Sequence, residues 1–168
     1  MPGCVYRKEE RGSGEIISAK KMKIKIAWIG KTKMPAVNSL TAEYLKRIAH
    51  YAPVESFELA EEAALLKLAE KSSGRTAPVL ALLDFRGQQL SSEEFAEFLR
   101  HHQDRGTQTL LFAIGPADGF TPAARSAAAI SLSLGKMTLA HELARIVLLE
   151  QLYRAYTILK GHPYHCGH

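Results

Sequence analysis

Short apolar runs alternate with longer segments of helical periodicity along this chain. The runs predict five strands, at residues 23–29, 54–59, 78–84, 107–114 and 130–134. The periodic segments predict helices at residues 35–50 and 61–71, a third helix capped by Ser91 or Ser92, and a short helix from about residue 121. Alternating strands and helices are typical of a parallel sheet flanked by helices on both faces. The pattern therefore predicts an α/β fold.

The longest helix is predicted over residues 138–160, with Gly161 and Pro163 marking its end. Its apolar residues occupy most of its circumference: Leu139, Leu143, Ile146, Val147, Leu148, Leu149, Leu152, Tyr153, Tyr156, Ile158 and Leu159. Such a helix is normally buried on two sides. In a chain of this size, one side can face its own sheet and the other a second copy of the protein. We therefore expect a homodimer; the alternative is an ordinary core helix.

Three of the predicted strands end in residues that suit a binding cleft. The ends lie at positions 83–84, 114–115 and 134–135, and glycine follows two of the three strands. Because the carboxyl ends of parallel strands meet at one edge of a sheet, these positions are expected to lie together. Glycine lets a ligand approach the backbone closely, although glycine after a strand is also found in simple turns. The pattern predicts a small-molecule cleft at this edge.

Composition and charge add limits to this picture. A chain of 168 residues with 46% hydrophobic and 23% charged residues is typical of a single soluble domain. The net charge of +5 permits a nucleic-acid partner without requiring one. Cys4 and Cys166 lie near the two ends of the chain, which favours a reducing cytoplasm over a disulfide framework. We predict a flexible extension at residues 1–21, whose place in the native protein the sequence leaves open, and one domain at residues 22–168.

Other ligand motifs are incomplete. The segment Gly30-Lys31-Thr32 resembles the end of a phosphate-binding P-loop, but Lys25 stands where that motif needs a glycine. No G-x-G-x-x-G follows a predicted strand, so the dinucleotide signature is missing. The tail contains residue types that ligate zinc, namely His162, His165, Cys166 and His168. Since no second pair of ligands precedes them, we predict a solvated tail and no metal site.

Six segments together resemble one known family. They are MKIKIAWIGKTKMP at 22–35, EYLKR at 43–47, LLDFRGQQLSSEEFA at 82–96, IGPADG at 114–119, SLGKMTLAHELAR at 133–145 and EQLYRAYTILKGHPYH at 150–165. In this order and spacing they resemble the RlmH family, SPOUT-class methyltransferases that modify a pseudouridine of 23S ribosomal RNA. The resemblance implies an α/β fold with a trefoil knot in its C-terminal part, a homodimer, and S-adenosylmethionine as the methyl donor.

The resemblance also implies which residues hold the cofactor. Carried over by position, they are Leu83, Gly115, Leu134, Gly135, Lys136, Met137, Thr138 and Leu139. These coincide with the three predicted strand ends. The chain departs from the family pattern at Pro116, at Gly135, where serine is common, and at Ala140 and Glu142, where prolines often flank the loop histidine. The departures bear on cofactor affinity, since Pro116 removes a backbone N–H.

The implied reaction is transfer of a methyl group to N3 of pseudouridine. We expect His165 as the base, Tyr164 as a stacking surface or hydrogen-bond partner, and Arg154 as a cation for phosphate or a developing oxyanion. His141 is a further candidate. Because the tail after Lys160 is short, it is expected to complete the site of a partner subunit rather than its own.

The remaining basic residues give no clear interface. Eight could contact phosphates but are scattered: Lys31, Lys33, Lys46, Arg47, Arg86, Arg100, Arg105 and Arg125. With so few charges, we expect the substrate to be a shaped surface such as an assembled ribosome. Two alternatives remain, a SPOUT methyltransferase for another RNA position and a non-catalytic RNA-binding or ribosome-binding module.

Overall fold

The computed structural model describes residues 20–70 and 74–165, except for the side chain of His165. The strands are β1 Lys23–Ile29, β2 Val54–Leu59, β3 Val79–Gln89, β4 Thr109–Ile114 and β5 Ile130–Ser133. They form one sheet in the order β2-β1-β4-β3-β5, and every neighbouring pair is parallel. The α/β fold predicted from the hydrophobic pattern is confirmed.

Helices cover both faces of this sheet. They are α1 Pro35–Ala49, α2 Glu62–Ala69, α3 Ser92–Asp104, α4 Pro122–Ala127 and α5 His141–Lys160, followed by a short 3₁₀ turn at Pro163–His165. Alternate residues of the strands point to opposite sides, so α1, α3 and α5 share one apolar cluster while α2 and α4 share the other. Ser91, one of the two predicted caps, begins α3 and forms a reciprocal capping box with Glu94.

Two predicted boundaries at the cleft are wrong by several residues, whereas the other boundaries differ from the structure by only one or two residues. β3 continues past Asp84 to Gln89, with a shift of register between Leu83 and Gln88, because its polar far end still pairs with β5. α5 begins at His141 rather than Thr138, because Ala140 is extended at φ −57° and ψ 140°. Residues 134–140 therefore form a loop. The predicted extension at residues 1–21 lies almost entirely outside the described residues and stays a prediction, as does the trefoil threading.

α5 is covered within its own chain more than its sequence suggests. It packs between α1 and α3 and against the sheet. Tyr44 of α1 lies 6.4 Å from Tyr153 between ring centroids, and Tyr51 stacks on Tyr156 at 5.8 Å. These contacts explain much of its wide apolar surface. None of the helices in the described ranges combines the length and hydropathy that a bilayer span requires.

Candidate active site

A cleft of about 170 Å³ lies at the carboxyl edge of β3, β4 and β5. Leu83 within β3 pairs with Ile114 at the end of β4 and with Leu132 near the end of β5, so the three segments lie side by side although β3 itself runs on to Gln89. Seven of the eight residues predicted for the cofactor line this cleft: Leu83, Gly115, Leu134, Gly135, Met137, Thr138 and Leu139. Lys136 does not line it. The predicted convergence is confirmed as geometry, and cofactor binding by these residues stays a prediction.

Apolar side chains at the mouth of the cleft are unusually open to solvent. Met137 is 83% exposed, Phe85 is 65% exposed and Leu139 is 37% exposed. A side chain as exposed as Met137 contributes little to the protein core. Its position is better explained by contact with something that enters the cleft.

The loop after β5 is shaped by Ser133 and Gly135. Ser133 Oγ donates a hydrogen bond to the Gly135 carbonyl oxygen at 2.9 Å, and the Gly135 N–H donates back to Ser133 Oγ at 3.3 Å. Gly135 has φ +142°, a conformation that residues with a Cβ rarely adopt. Glycine at this position therefore suits the loop as it is built here.

Asp84 and Arg125 form an ion pair at the floor of the cleft. Asp84 lines the cleft with its side chain 4% exposed, and its Oδ2 accepts from Arg125 Nε at 3.0 Å. Burial by itself raises the pKa of the Asp84 carboxyl, but hydrogen bonds from the Arg86 N–H and from Arg125 outweigh it and lower the pKa below its ordinary value. Sequence reasoning named Asp84 only as the end of a strand. The missing information was its partner on α4.

Arg145 is the other polar residue that sequence reasoning missed. It is 1% exposed, and its guanidinium carbon lies 3.9 Å from the Trp28 ring centroid. Its Nη2 donates to Thr32 Oγ1 at 2.9 Å, whereas Nε and Nη1 have no hydrogen-bond partner among the described residues. Burial lowers the pKa of Arg145, with Glu142 and Glu58 opposing that shift. An arginine within an apolar helical segment is the sequence feature that could have revealed it.

The tail after Lys160 folds back on α5, so that Tyr164 lies beside Arg154 of that helix. Glu150 Oε1 accepts from Arg154 Nη2 at 2.6 Å and from the Tyr164 hydroxyl at 3.2 Å. Burial, followed by the charge of Glu150, raises the pKa of Tyr164 to about 12, so its phenol is protonated at neutral pH. The side chain of His165, together with Cys166 and His168, lies outside what the structure describes.

One chain does not bring the tail and the cleft together. His141 lines the cleft at the first residue of α5, and Arg154 lies 13 residues further along the same helix. At 1.5 Å per residue the two are roughly 20 Å apart along the helix axis. The cleft and the Arg154–Tyr164 pair are therefore separate sites within a single subunit.

Comparison with known proteins decides the family. The family described as "Predicted SPOUT methyltransferase" matches residues 22–165. A protein of Koribacter versatilis named "Ribosomal RNA large subunit methyltransferase H" is 59% identical over 147 residues, which cover 88% of this chain and 100% of that protein. The chain belongs to the RlmH family of SPOUT methyltransferases.

Another relative has the same name, and a solved structure shares the fold. A Geobacter protein of the same name is 46% identical over 152 residues, covering 86% of this chain and 99% of that one. The structure of a "probable methylase family protein" from Haemophilus influenzae superposes with a TM-score of 0.55 at 10% identity, over 84% of this chain and 69% of that chain. At that identity, the superposition shows a shared fold alone.

The departures from the RlmH pattern can now be placed in the fold. Pro116 and Gly135 both line the cleft, on the loops after β4 and β5. Ala140 is the extended residue before α5, and Glu142 is 6% exposed in the first turn of that helix. Glu142 Oε1 accepts a hydrogen bond from the Lys33 N–H. Glutamate at this position thus ties the loop after β1 to the start of α5.

Proposed function

We propose that this RlmH-family protein uses S-adenosylmethionine to methylate N3 of a pseudouridine in 23S ribosomal RNA. The observation that carries the proposal is the convergence of residues 83, 115, 134, 135 and 137–139 on one cleft, since these are seven of the eight positions that the family resemblance assigns to the cofactor. Relatives that align over nearly their whole length with 59% and 46% identity are named as large-subunit ribosomal RNA methyltransferases, which supports the same substrate class here.

The residues of the cleft fit such a cofactor. Leu83, Leu134, Met137 and Leu139 provide apolar walls for an adenine ring, and the backbone at Gly115 and Gly135 can hydrogen-bond its polar edge. A Cβ added at Gly115 would lie 3.0 Å from the Phe120 ring, so the space beside Gly115 has little room for a side chain. When bound, S-adenosylmethionine supplies a methyl group already activated by its sulfonium. The chain has to orient that group, exclude water and help remove the N3 proton.

The chemistry of Tyr164, Arg154 and His165 suits each of them to a different role in the reaction. Tyr164, with its pKa near 12, is a hydrogen-bond donor and stacking surface rather than a base at neutral pH. Arg154 keeps a positive charge beside it, 5.2 Å from the Tyr164 ring centroid, and suits a phosphate or a developing oxyanion. We assign the proton-accepting role to His165. His141, which lines the cleft, is the second candidate.

We infer a homodimer from the separation of cleft and tail. Since roughly 20 Å of helix separates Arg154 from its own cleft, a second subunit has to supply the tail. The exposed face of α5 offers a surface for it, with Leu143 49% exposed and Val147 36% exposed. A cavity of about 350 Å³ opens beside Val147 and has room for partner side chains. Sedimentation at micromolar concentration is expected to give the mass of two chains, and a monomer would contradict this part of the proposal.

The substrate is best explained as a folded ribosomal surface. A net charge of +5 is small for tight binding to free RNA. An assembled large subunit also presents a folded surface, whose shape the protein can recognise in addition to its charge. A ribosomal substrate also places the protein in the cytoplasm.

The proposed function is tested by incubating purified protein with the methyl donor and ribosomes from a strain that lacks the corresponding gene. Mass spectrometry of nucleosides from the 23S RNA is expected to show one new 3-methylpseudouridine per ribosome. A methyl group at a ribose or at another base would favour the alternative SPOUT specificity. Calorimetry that detects no binding of S-adenosylmethionine would favour a non-catalytic module.

A further inference from the structure

A basic loop lies beside the cleft, between β1 and α1. Lys31 and Lys33 are both exposed on this loop and lie on either side of Thr32. β1 pairs with β4 in parallel, with Trp28 opposite Ile114, so the chain leaves β1 at the same edge of the sheet as Gly115. The two lysines are therefore close in the fold to the cleft, although they are far from most of its residues in sequence.

The backbone of this loop is held from two sides. Glu58, near the end of β2, accepts hydrogen bonds from the Thr32 N–H at 3.1 Å and from the Thr32 hydroxyl at 3.0 Å. On the other side, Glu142 accepts from the Lys33 N–H. Glu142 follows His141, which lines the cleft. The loop is thereby fixed to the first turn of the helix that borders the cleft.

Arg145 adds a hydrogen bond to this attachment, although burying its charged guanidinium is unfavourable in free energy. It reaches from the same end of α5 to Thr32 Oγ1 and stacks on Trp28, which itself donates to Glu58 at 3.3 Å. A guanidinium that is 1% exposed and leaves two nitrogens without partners among the described residues is expensive to bury. Stability alone is therefore a weak reason for its presence, whereas a fixed position for the loop is a specific gain.

We propose that Lys31 and Lys33 form a phosphate-binding site for the RNA substrate and that Arg145 is the positioning residue that fixes this site relative to the cleft. Ammonium groups on a short loop suit phosphate oxygens, and phosphate contacts set the register of a nucleic acid on a protein. A loop tied to both β2 and α5 would hold the RNA backbone at a constant distance from the methyl donor. This inference rests on the proposed function.

The test compares Lys31→Gln/Lys33→Gln with Lys20→Gln/Lys67→Gln, using ribosomes as the substrate. The control pair is exposed and removes the same charge, but Lys20 precedes β1 and Lys67 lies in the last turn of α2, both towards the opposite edge of the sheet. For the loop variant we expect KM to rise about three- to tenfold, with the salt dependence of log kcat/KM reduced by about 1 to 2. We expect kcat and the affinity for S-adenosylmethionine to be unchanged. A loop variant that matches the control pair would overturn the phosphate site.

The positioning role is tested with Thr32→Val, which keeps both lysines and Arg145 but removes the hydroxyl that joins Arg145 and Glu58. We expect a higher KM for ribosomes in this variant and little further increase when it is combined with the lysine pair, because both changes act on one contact. Full additivity of the two effects would overturn the positioning role. Thermal unfolding of each variant shows that the protein remains folded.

Failure of the proposed function can be distinguished from failure of this inference. Wild-type protein that binds ribosomes without methylating their RNA would contradict the function. The same variants are then compared by ribosome binding in a filter assay, where the lysine pair is still expected to weaken binding more than the control pair. Equal binding by the two pairs would overturn the inference on its own.

Discussion

Met137 shows at the scale of one residue how exposure can identify a binding role. It is 83% exposed, yet it lines the cleft beside Thr138 and Leu139. Leu83, by contrast, is half-buried and packs against the main apolar cluster. A change at Leu83 would disturb both packing and binding, whereas a change at Met137 affects a side chain with few partners in the protein.

Met137→Ala is therefore expected to weaken cofactor binding without weakening the fold. The loss of apolar contact is worth about 1 kcal/mol, or roughly a fivefold increase in the Kd for S-adenosylmethionine. Calorimetry measures the Kd, and thermal unfolding is expected to give an unchanged Tm. Leu40→Ala is the matched control, since Leu40 is 44% exposed on α1 and is not part of the cleft lining. An unchanged Kd for Met137→Ala would remove Met137 from the cofactor site.

At the scale of elements, the second half of β3 lies very close to β5. A Cβ added at Gly87 would lie 2.5 Å from the Leu132 carbonyl carbon and 2.6 Å from its nitrogen. Real side chains do not approach backbone atoms so closely, so only glycine allows this approach. The hydrophobic pattern ended β3 at its first polar residue and could not predict this contact, because it depends on where β5 lies.

Gly87→Ala is expected to destabilise the protein by about 2–3 kcal/mol, since two backbones have to separate to admit the methyl group. Urea unfolding measures the free energy of unfolding. Gly106→Ala is the comparison, because Gly106 has φ +74° and nothing within 4 Å of an added Cβ. That change is expected to cost only about 1 kcal/mol of backbone strain. Equal costs at the two positions would mean that the close approach of β3 to β5 is unimportant.

At the scale of the whole molecule, the separation of the cleft from the tail is the basis for the proposal that one site requires two chains. Arg154 and Tyr164 share Glu150 on α5, well away from the cleft at the start of that helix. In the proposed dimer, each subunit contributes its cleft to one site and its tail to the other. The activity of mixed dimers can therefore be predicted quantitatively.

Heterodimers of Tyr164→Ala and Gly115→Leu subunits are expected to recover about half of wild-type activity, since one intact cleft then meets one intact tail. Each variant homodimer is expected to be inactive in the ribosome methylation assay. The control is a heterodimer of wild-type and doubly substituted subunits, which is expected to be inactive because neither site is complete. The opposite result, an active control and an inactive mixed dimer, would show that each chain uses its own tail.

Much of the architecture was predictable because it depends on local patterns. Apolar alternation and helical periodicity predicted the five strands and five helices found in the described residues, and Ser91 or Ser92 was predicted as the cap of α3. That positions 83–84, 114–115 and 134–135 lie together was also predictable, because parallel strands run to a common edge, although β3 continues beyond its predicted end. The boundaries at Gln89 and His141 were not predictable, since they depend on pairing with β5 and on an extended loop.

What the amino-acid sequence determined by itself was the order of strands and helices, the edge of the sheet that carries the cleft, and membership of the RlmH family. Only the tertiary structure decided which polar side chains meet. Arg145 and Thr32 are 113 residues apart in sequence, and Arg125 and Asp84 are 41 apart. Periodicity describes the environment of a residue relative to its near neighbours. The partners of a buried charge come from distant segments, and only the folded chain brings them within hydrogen-bonding distance.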